Sequence, residues 1–193
     1  MSDALTLADV YDAYRADPLF DHLRTDSIVL VPGEGSSQPN VLIVGEAPGA
    51  MENVHKRPFV GASGQVLRSL IKDSAGLEPH DYFITNVVKY RPPNNRTPEP
   101  EEIAASLPYL RQEFVALGGP AVLVAVGGVA FSAFRPAGVS GGILSNAGRP
   151  LALAQGRALW PMIHPAYGLR NRDARPAMEA HWEQFGIWYQ EEF

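Results

Sequence analysis

The residues with the clearest capacity for chemistry are Glu46, Asn86, Lys89 and His164, which lie at or just after the ends of apolar runs. A carboxylate can act as a general acid or base. An amide buried at a strand end needs hydrogen-bond partners and can read the edge of a base. By its position alone, His164 is as consistent with a structural histidine as with a functional one. The set predicts a ligand site made of polar side chains at strand ends.

The segment 45–49, Gly-Glu-Ala-Pro-Gly, directly follows one of these runs. Its glycines would let backbone N–H groups approach a ligand closely, and its proline would stiffen that arrangement. A plain tight turn with Glu46 in water is the alternative, but the position at a strand end favours a functional turn. Phe59 follows in a segment bounded by Pro and Gly. It is either a core aromatic or a face on which a base stacks.

The elements that would position these side chains are strands alternating with helices. Four apolar runs predict buried strands at residues 41–44, 82–88, 121–126 and 158–163. Helices are predicted between them, two of which have Ser63 and Thr97 as N-caps. We therefore expect an α/β fold, a three-layer αβα sandwich with a central, mostly parallel four-stranded sheet, in a single domain over residues 1–193. The carboxyl ends of parallel strands converge on one edge, where ligands bind.

The composition excludes several kinds of chemistry. There is no cysteine among the 193 residues, which rules out disulfides, thiolate catalysis and cysteine-ligated zinc or iron–sulfur sites. The 5 histidines are scattered, so we expect no protein-bound metal and no cofactor. The net charge of −5 argues mildly against a nucleic-acid partner. Basic residues nevertheless concentrate at 56–96 and 170–175, which indicates either a face for phosphate or ordinary solvated charge.

With 46% hydrophobic and 19% charged residues, the composition is that of a globular protein. No apolar run is long enough to cross a membrane, and the first residues lack the basic and apolar regions of a secretory signal. We therefore expect a cytoplasmic protein with no membrane partner. We also expect it to be a monomer.

Five motifs, taken together and in this order, resemble the uracil-DNA glycosylase superfamily, and most closely its family 4 branch. The resemblance runs from about residue 31 to the last predicted helix. The motifs are Gly45-Glu46-Ala47-Pro48-Gly49 with Glu52, Arg57-Pro58-Phe59-Val60-Gly61, Thr85-Asn86-Val87-Val88-Lys89, Arg91-Pro92-Pro93 with Arg96, and His164-Pro165-Ala166-Tyr167. Any one of them alone would be weak, whereas five in the same order are highly specific.

The resemblance implies a DNA glycosylase that flips uracil out of DNA and excises it by hydrolysis, leaving an abasic site for base excision repair. Of the two catalytic residues implied, Glu46 helps to position or activate the attacking water. His164 hydrogen-bonds O2 of uracil, where negative charge grows as the glycosidic bond breaks. Preorganised donors at such an oxygen stabilise the transition state more than the ground state.

The resemblance also implies a set of residues that bind the base, namely Gly45, Ala47, Glu52, Phe59 and Asn86. In this set Phe59 stacks on the flipped base. Asn86 donates to O4 and accepts from N3–H. Glu52 crowds the C5 position of the base and thereby keeps thymine out.

The implied partner is DNA containing uracil, single- or double-stranded. The implied DNA-binding residues are Lys89, Arg91, Arg96, Tyr167, Leu169 and Arg170. Basic side chains among them suit phosphate contacts that offset the cost of flipping a nucleotide. The loop 165–170 would enter the minor groove with Tyr167 or Leu169 as its apolar element, and Gly168 would make this loop flexible.

The chain departs from family 4 at the iron–sulfur cluster, for which enzymes of that branch typically carry four cysteines. The aligned positions here are Pro18, Asp21, Tyr90 and Ser106, which cannot hold such a cluster in the usual way. The cluster looks structural in this family, so its loss does not by itself remove the chemistry. We expect its place to be taken by the packing of Leu19, Phe20, Leu23, Tyr90 and Leu107.

Two alternative functions stay open on the sequence alone. The loss of the cluster marks divergence, which is compatible with a glycosylase for another modified or damaged base. A non-catalytic relative that binds damaged DNA would keep the pocket without turnover. The presence of both Glu46 and His164 argues against this second alternative.

Overall fold

A computed structural model describes residues 4–193, and its centre is a six-stranded sheet with the spatial order β1-β3-β2-β4-β6-β5. In chain order the strands are β1 (Glu34–Gly35), β2 (Val41–Gly45), β3 (Tyr82–Asn86), β4 (Val122–Val126), β5 (Leu151–Ala152) and β6 (Ala158–Met162). The four central strands are parallel, and β1 and β5 pair antiparallel at the two edges. The predicted fold class is confirmed, with two short edge strands added.

Helices cover both faces of the sheet. In the described part of the chain they are α1 (Leu7–Ala16), α2 (Ala50–His55), α3 (Ala62–Ser69), α4 (Pro100–Ala116), α5 (Gly128–Phe134), α6 (Ile143–Asn146), α7 (Pro165–Arg170) and α8 (Arg175–Glu192). Side chains alternate along each strand, so β2 sends Val41 and Ile43 into a core with α3 and α8. Leu42 and Val44 enter a second core with α1, α4 and α5. None of these helices is both long enough and apolar enough to cross a membrane.

Two helices begin at other residues than the sequence predicts. Ser63 lies inside α3, which starts at Ala62. Thr97 lies before α4, which starts at Pro100. The side chain of Glu102 accepts from the backbone N–H of Glu99 at 2.7 Å, so a capping box at Glu99 replaces the predicted threonine cap.

Candidate active site

A cavity of about 490 Å³ opens at the carboxyl edge of the parallel strands. The register pairs Gly45 with Asn86 and Val126 with Met162, so the segments that follow β2, β3, β4 and β6 meet at this edge. Most of the predicted site residues line the cavity, namely Glu46, Ala47, Glu52, Phe59, Asn86, Arg96, His164, Tyr167 and Arg170. The strand-end residues Glu46, Asn86 and His164 are thus brought together in one cavity, as their positions predict.

Sequence reasoning missed several residues that also line the cavity, among them Ser63, Asn95, Thr97, Gly127 and Gly128. The pair of glycines directly follows β4, so the strand-end signal that identified Glu46 applies to it equally. Asn95 and Thr97 lie in the irregular segment between β3 and α4. No periodicity marks that segment, and only the folded chain brings it to the cavity.

Gly45 lies behind the cavity wall, where it lets the side chains of Phe59 and Asn86 pack closely. A Cβ atom at this position would lie 2.3 Å from Cζ of Phe59 and 2.5 Å from Oδ1 of Asn86. Both separations are far shorter than van der Waals contact, so a larger residue would displace these side chains. Asn86 itself is only 3% exposed, and its residual surface faces the cavity. The absence of a side chain at Gly45 thus allows Asn86 and Phe59 to line the cavity side by side.

Phe59 also lines the cavity, as a buried ring. Its centroid lies 6.3 Å from the centroid of the His164 ring, with 33° between the two planes. The backbone of Phe59 adopts φ 55°, a left-handed conformation that is uncommon for a bulky residue. Gly64 in α3 makes room for it, because a Cβ there would lie 2.2 Å from the carbonyl carbon of Phe59.

Glu52 connects the turn after β2 to the segment that carries Phe59. Its Oε1 accepts from the backbone N–H of Val60 at 3.0 Å and of Gly61 at 2.7 Å. Its Oε2 accepts from the backbone N–H of Gly49 at 3.1 Å, which caps α2. The carboxylate is therefore held rigidly at the cavity, and the sequence offered no sign of this structural role.

His164 is the N-cap of α7, and this position determines its tautomer. Its Nδ1 accepts a hydrogen bond from the backbone N–H of Ala166 at 3.1 Å. In the neutral ring the proton must then be on Nε2, which makes Nε2–H a donor. Burial and the positive charge of Arg170 lower the pKa of His164, against the opposing charge of Glu52. The imidazole is thus held neutral at physiological pH.

Gly127 allows the His164 ring to approach β4. It adopts φ 93°, and a Cβ atom would lie 3.2 Å from Cβ of His164. Its N–H also donates to the carbonyl of Met162 at 2.8 Å, which continues the pairing of β4 with β6 past the strand ends. The sheet itself therefore fixes the place of the imidazole.

Glu46 is half-buried at the cavity, directly after β2. Burial raises the pKa of its carboxyl above the usual range, although a hydrogen bond from the Thr97 side chain opposes the shift. A carboxylate in a partly dry site is a stronger base than one in water, because burial disfavours its charged form. The arrangement suits a general base that acts on water.

Arg96 is held at the cavity by a carboxylate. Its Nη1 and Nη2 donate to the two carboxylate oxygens of Glu102 at 2.8 and 2.6 Å. These hydrogen bonds lower the pKa of Glu102 to about 2, so the pair stays charged. Arg91 lies outside the cavity lining and donates from Nε to Oδ1 of Asn95 at 2.7 Å.

Lys89 does not reach the surface, so the expectation that it contacts DNA is wrong. Its side chain is 0% exposed and pairs with the equally buried Glu113, whose Oε2 lies 2.7 Å from the ammonium nitrogen Nζ. Nζ also donates to Oγ1 of Thr85 and to the backbone oxygen of Asn86, both at 2.6 Å. Burial lowers the pKa of Lys89, and the carboxylate of Glu113 opposes this shift. An ammonium has three protons, and all three are used inside the protein.

The segment 165–170 is the helix α7, so the expectation of a flexible loop is also wrong. Gly168 is buried, and a Cβ there would lie 2.6 Å from Sδ of Met178. This glycine permits close contact between α7 and α8 and contributes no flexibility. Leu169 is 51% exposed, and Tyr167 faces the cavity.

Aromatic rings occupy the region to which the family 4 cluster positions align. Tyr14 and Phe20 stack with ring centroids 4.1 Å apart, and the Tyr90 ring lies 5.7 Å from Tyr14 and 6.3 Å from Phe20. The hydroxyl oxygens of Tyr14 and Ser106 are 2.8 Å apart and share a hydrogen bond. Neither the residue types nor the filled space fit an iron–sulfur cluster.

Four of the five residues expected to replace the cluster pack in one core, three of them buried and one partly buried. Phe20, Leu23 and Tyr90 are at most 2% exposed and belong to one core, against which Leu107 packs. That the packing of these four residues takes the place of the cluster stays a prediction. Leu19 is 62% exposed, so its inclusion in this packing was wrong.

Comparison with known proteins agrees with the motifs. The family model described as the uracil DNA glycosylase superfamily matches residues 32–186. A type-4 uracil-DNA glycosylase of Thermotoga maritima is 42% identical over 151 residues, which cover 78% of this chain and 76% of that protein. One of Pyrobaculum aerophilum is 54% identical over 97 residues, 50% of this chain and 48% of that protein. A type-5 uracil-DNA glycosylase of Thermus thermophilus is 34% identical over 116 residues, 53% of this chain and 52% of that protein. Since the family model spans far more than half of the sequence, the chain belongs to the uracil DNA glycosylase superfamily.

Proposed function

We propose that this protein excises uracil from DNA by hydrolysing the N-glycosidic bond, and that the abasic site it leaves enters base excision repair. The observation that carries the proposal is one cavity bounded by a buried amide, an aromatic ring and a neutral imidazole, provided by Asn86, Phe59 and His164. Uracil offers a flat face and a polar edge that match these groups. The target nucleotide must be flipped into the cavity, because N1–C1′ is inaccessible in a duplex.

In this proposal His164 and Asn86 stabilise the departing base. As N1–C1′ breaks, its electron pair moves onto uracil, and negative charge grows on O2 and O4. The Nε2–H of His164 donates to O2, and the amide of Asn86 donates to O4 and accepts from N3–H. Both groups are already in place before the bond breaks, so little reorganisation is required in the transition state.

Glu46 acts on the water in this proposal. Its carboxylate orients the water towards C1′ and accepts a proton as the new C1′–O bond forms, and the released uracil anion takes a proton from solvent. Glu52 faces the C5 side of the base. Because three backbone N–H groups hold its carboxylate, it cannot easily move aside for the methyl group of thymine.

DNA contacts are assigned to the exposed side of the same edge. Arg96 and Arg170 line the cavity and suit phosphate groups that flank the flipped nucleotide. Leu169, which is exposed on α7, suits the space that the base vacates. Tyr167 and Arg91 are assigned to DNA contacts as well. A monomeric state, a cytoplasmic location and a single domain stay predictions.

A labelled oligonucleotide with a single uracil tests the proposal. After incubation, alkali cleaves the strand wherever an abasic site has formed, so breaks at the uracil position report excision. We expect breaks with the parent protein and far fewer in the same time with Glu46→Ala or His164→Ala. Binding without breaks would favour a non-catalytic role. If the protein did not act on uracil but excised another modified base, that base would be the substrate.

The acid side of the pH–rate profile is expected to depend on two groups. Glu46 must lose its proton to act as a base, and its raised pKa moves this requirement to higher pH than for an ordinary glutamate. His164 must be neutral, and its lowered pKa keeps it neutral well into the acidic range. Single-turnover excision should therefore fall as the pH drops through the pKa of Glu46. In Glu46→Gln the residual rate should fall at low pH only where His164 becomes protonated. A pH–rate profile unchanged from that of the parent would contradict the role of Glu46 as the base.

Gly45→Ala is expected to reduce excision by about 100-fold, because a displacement of about 1 Å at the reacting groups costs that much. The new Cβ would push Phe59 or Asn86 into the cavity. Gly128→Ala is the matched control, since Gly128 lines the same cavity and a Cβ there meets no atom within 4 Å. Single-turnover rates of both variants check the prediction. Equal rates would show that the packing behind the cavity does not matter.

A further inference from the structure

The left-handed backbone of Phe59 requires an external restraint. A phenylalanine at φ 55° is strained, and such conformations persist only where surrounding contacts impose them. Burial of the ring does not provide this restraint, since many backbone conformations would bury the same ring. The restraint must act on the backbone of the segment itself.

The side chain of Arg68 supplies contacts of this kind from α3. Its Nε donates to the backbone oxygen of Phe59 at 2.9 Å, and its Nη2 donates to the backbone oxygen of Pro58 at 2.8 Å. The planar guanidinium therefore binds two consecutive carbonyls and sets the direction of both peptide groups. Gly64, one turn earlier on α3, allows the backbone of Phe59 to lie directly on the helix.

A carboxylate holds Arg68 in turn. Nη2 of Arg68 also donates to Oε1 of Glu34 at 2.5 Å, and the side chain is 30% exposed. Arg68 is not among the residues that line the cavity, and the hydrogen-bonding edge of its guanidinium faces the Pro58–Phe59 carbonyls and Glu34. Arg68 therefore contacts the backbone that carries Phe59, and it does not contact the cavity itself.

We propose that Arg68 is a positioning residue, which holds Phe59 in the left-handed conformation that presents its ring to the flipped base. The proposal rests on the proposed excision of uracil, in which Phe59 stacks on that base. Lysine cannot replace the arginine, because one ammonium cannot reproduce the planar fork that binds both carbonyls and the carboxylate.

Arg57 offers a matched control within the same cluster. It pairs with the same carboxylate, with Nε 2.7 Å from Oε2 and Nη2 3.1 Å from Oε1 of Glu34, and it is 61% exposed. Its guanidinium does not bind the carbonyl of Phe59. Arg57→Lys therefore disturbs the ion pairs at Glu34 without removing the restraint on the ring.

The test is a double-mutant cycle with single-turnover excision of uracil as its readout. Arg68→Lys is expected to slow excision about tenfold or more, while Arg57→Lys leaves the rate nearly unchanged. Urea midpoints and affinity for undamaged duplex should be the same for both variants. In a Phe59→Ala background Arg68→Lys should have no further effect, because its action passes through the ring. An equal loss in that background, or no loss in the parent, would overturn the proposal.

A second readout separates this proposal from the excision of uracil itself. NMR of protein labelled at phenylalanine rings reports the environment of Phe59 without any substrate. We expect its resonance to move in Arg68→Lys and to stay in place in Arg57→Lys. If the parent protein does not act on uracil but the resonance still moves in this way, the positioning role stands and the proposed function fails. An unmoved resonance in Arg68→Lys would refute the positioning role.

Discussion

His164→Asn is expected to lower the single-turnover rate of uracil excision about 100- to 1000-fold, the usual cost of removing one donor to a developing oxyanion. The shorter side chain removes the Nε2–H that faces O2 in the proposed mechanism. Asparagine is also one of the best N-cap residues, so it can still accept from the backbone N–H of Ala166. The variant thus separates the catalytic role of His164 from its role in starting α7.

His164→Ala provides the comparison, because it removes both the donor and the cap. Its free energy of unfolding should be about 1 kcal/mol lower than that of His164→Asn, the usual value of an N-cap. Urea denaturation measures this difference, and excision should be equally poor in both variants. If His164→Asn kept most of the parent rate, the imidazole would not be the donor at O2.

Glu113→Ala is expected to lower the free energy of unfolding by about 3–5 kcal/mol, which suffices to unfold many proteins of this size. The change leaves the ammonium of Lys89 buried without its carboxylate partner. It also removes the acceptor of the hydroxyl groups of Tyr11 and Thr85. Urea or thermal denaturation monitored by circular dichroism measures the loss.

The double variant Lys89→Met/Glu113→Gln is the control for this effect. It removes both charges together, and the glutamine still offers an acceptor to Tyr11 and Thr85. We expect it to be much more stable than Glu113→Ala, because breaking a buried pair costs more than replacing it. Equal destabilisation in both would show that the unpaired charge is not the cause.

The salt dependence of DNA binding distinguishes Lys89 from Arg170, a proposed phosphate contact. Arg170→Ala should reduce the slope of log affinity against log salt by about 1, as expected for one lost phosphate contact. The double variant at Lys89 should leave that slope unchanged, since this ammonium is buried. A reduced slope in the double variant would mean that Lys89 does reach DNA.

The central sheet, and the meeting of the candidate site residues at its edge, could be predicted because they depend on local patterns. Continuous apolar runs are buried on both faces, which is typical of parallel strands, and the strands observed at 41–45 and 122–126 are buried at every position. Polar residues that end such runs must meet at one edge of the sheet. Glu46, Asn86 and His164 therefore share a cavity, as their spacing predicts.

The side-chain environment could not be predicted, because it depends on residues distant in the chain. The sequence around Lys89 suggests an exposed cation. In the structure Lys89 is buried and paired with Glu113 of α4, which lies 24 residues further along the chain. From the sequence, Gly168 suggests a flexible loop. In the structure it allows Met178 of α8 to pack closely against α7. The edge strands β1 and β5 have two residues each, too few for any periodicity to appear.

The sequence by itself therefore determined the family, the order of the strands along the chain and the chemical groups of the pocket. Only the tertiary structure decided what each group can do. The tautomer of His164 follows from the N–H of Ala166 at the start of α7, and the conformation of Phe59 follows from contacts with α3. Residue types are local properties, whereas protonation, backbone strain and burial depend on every element that surrounds a side chain.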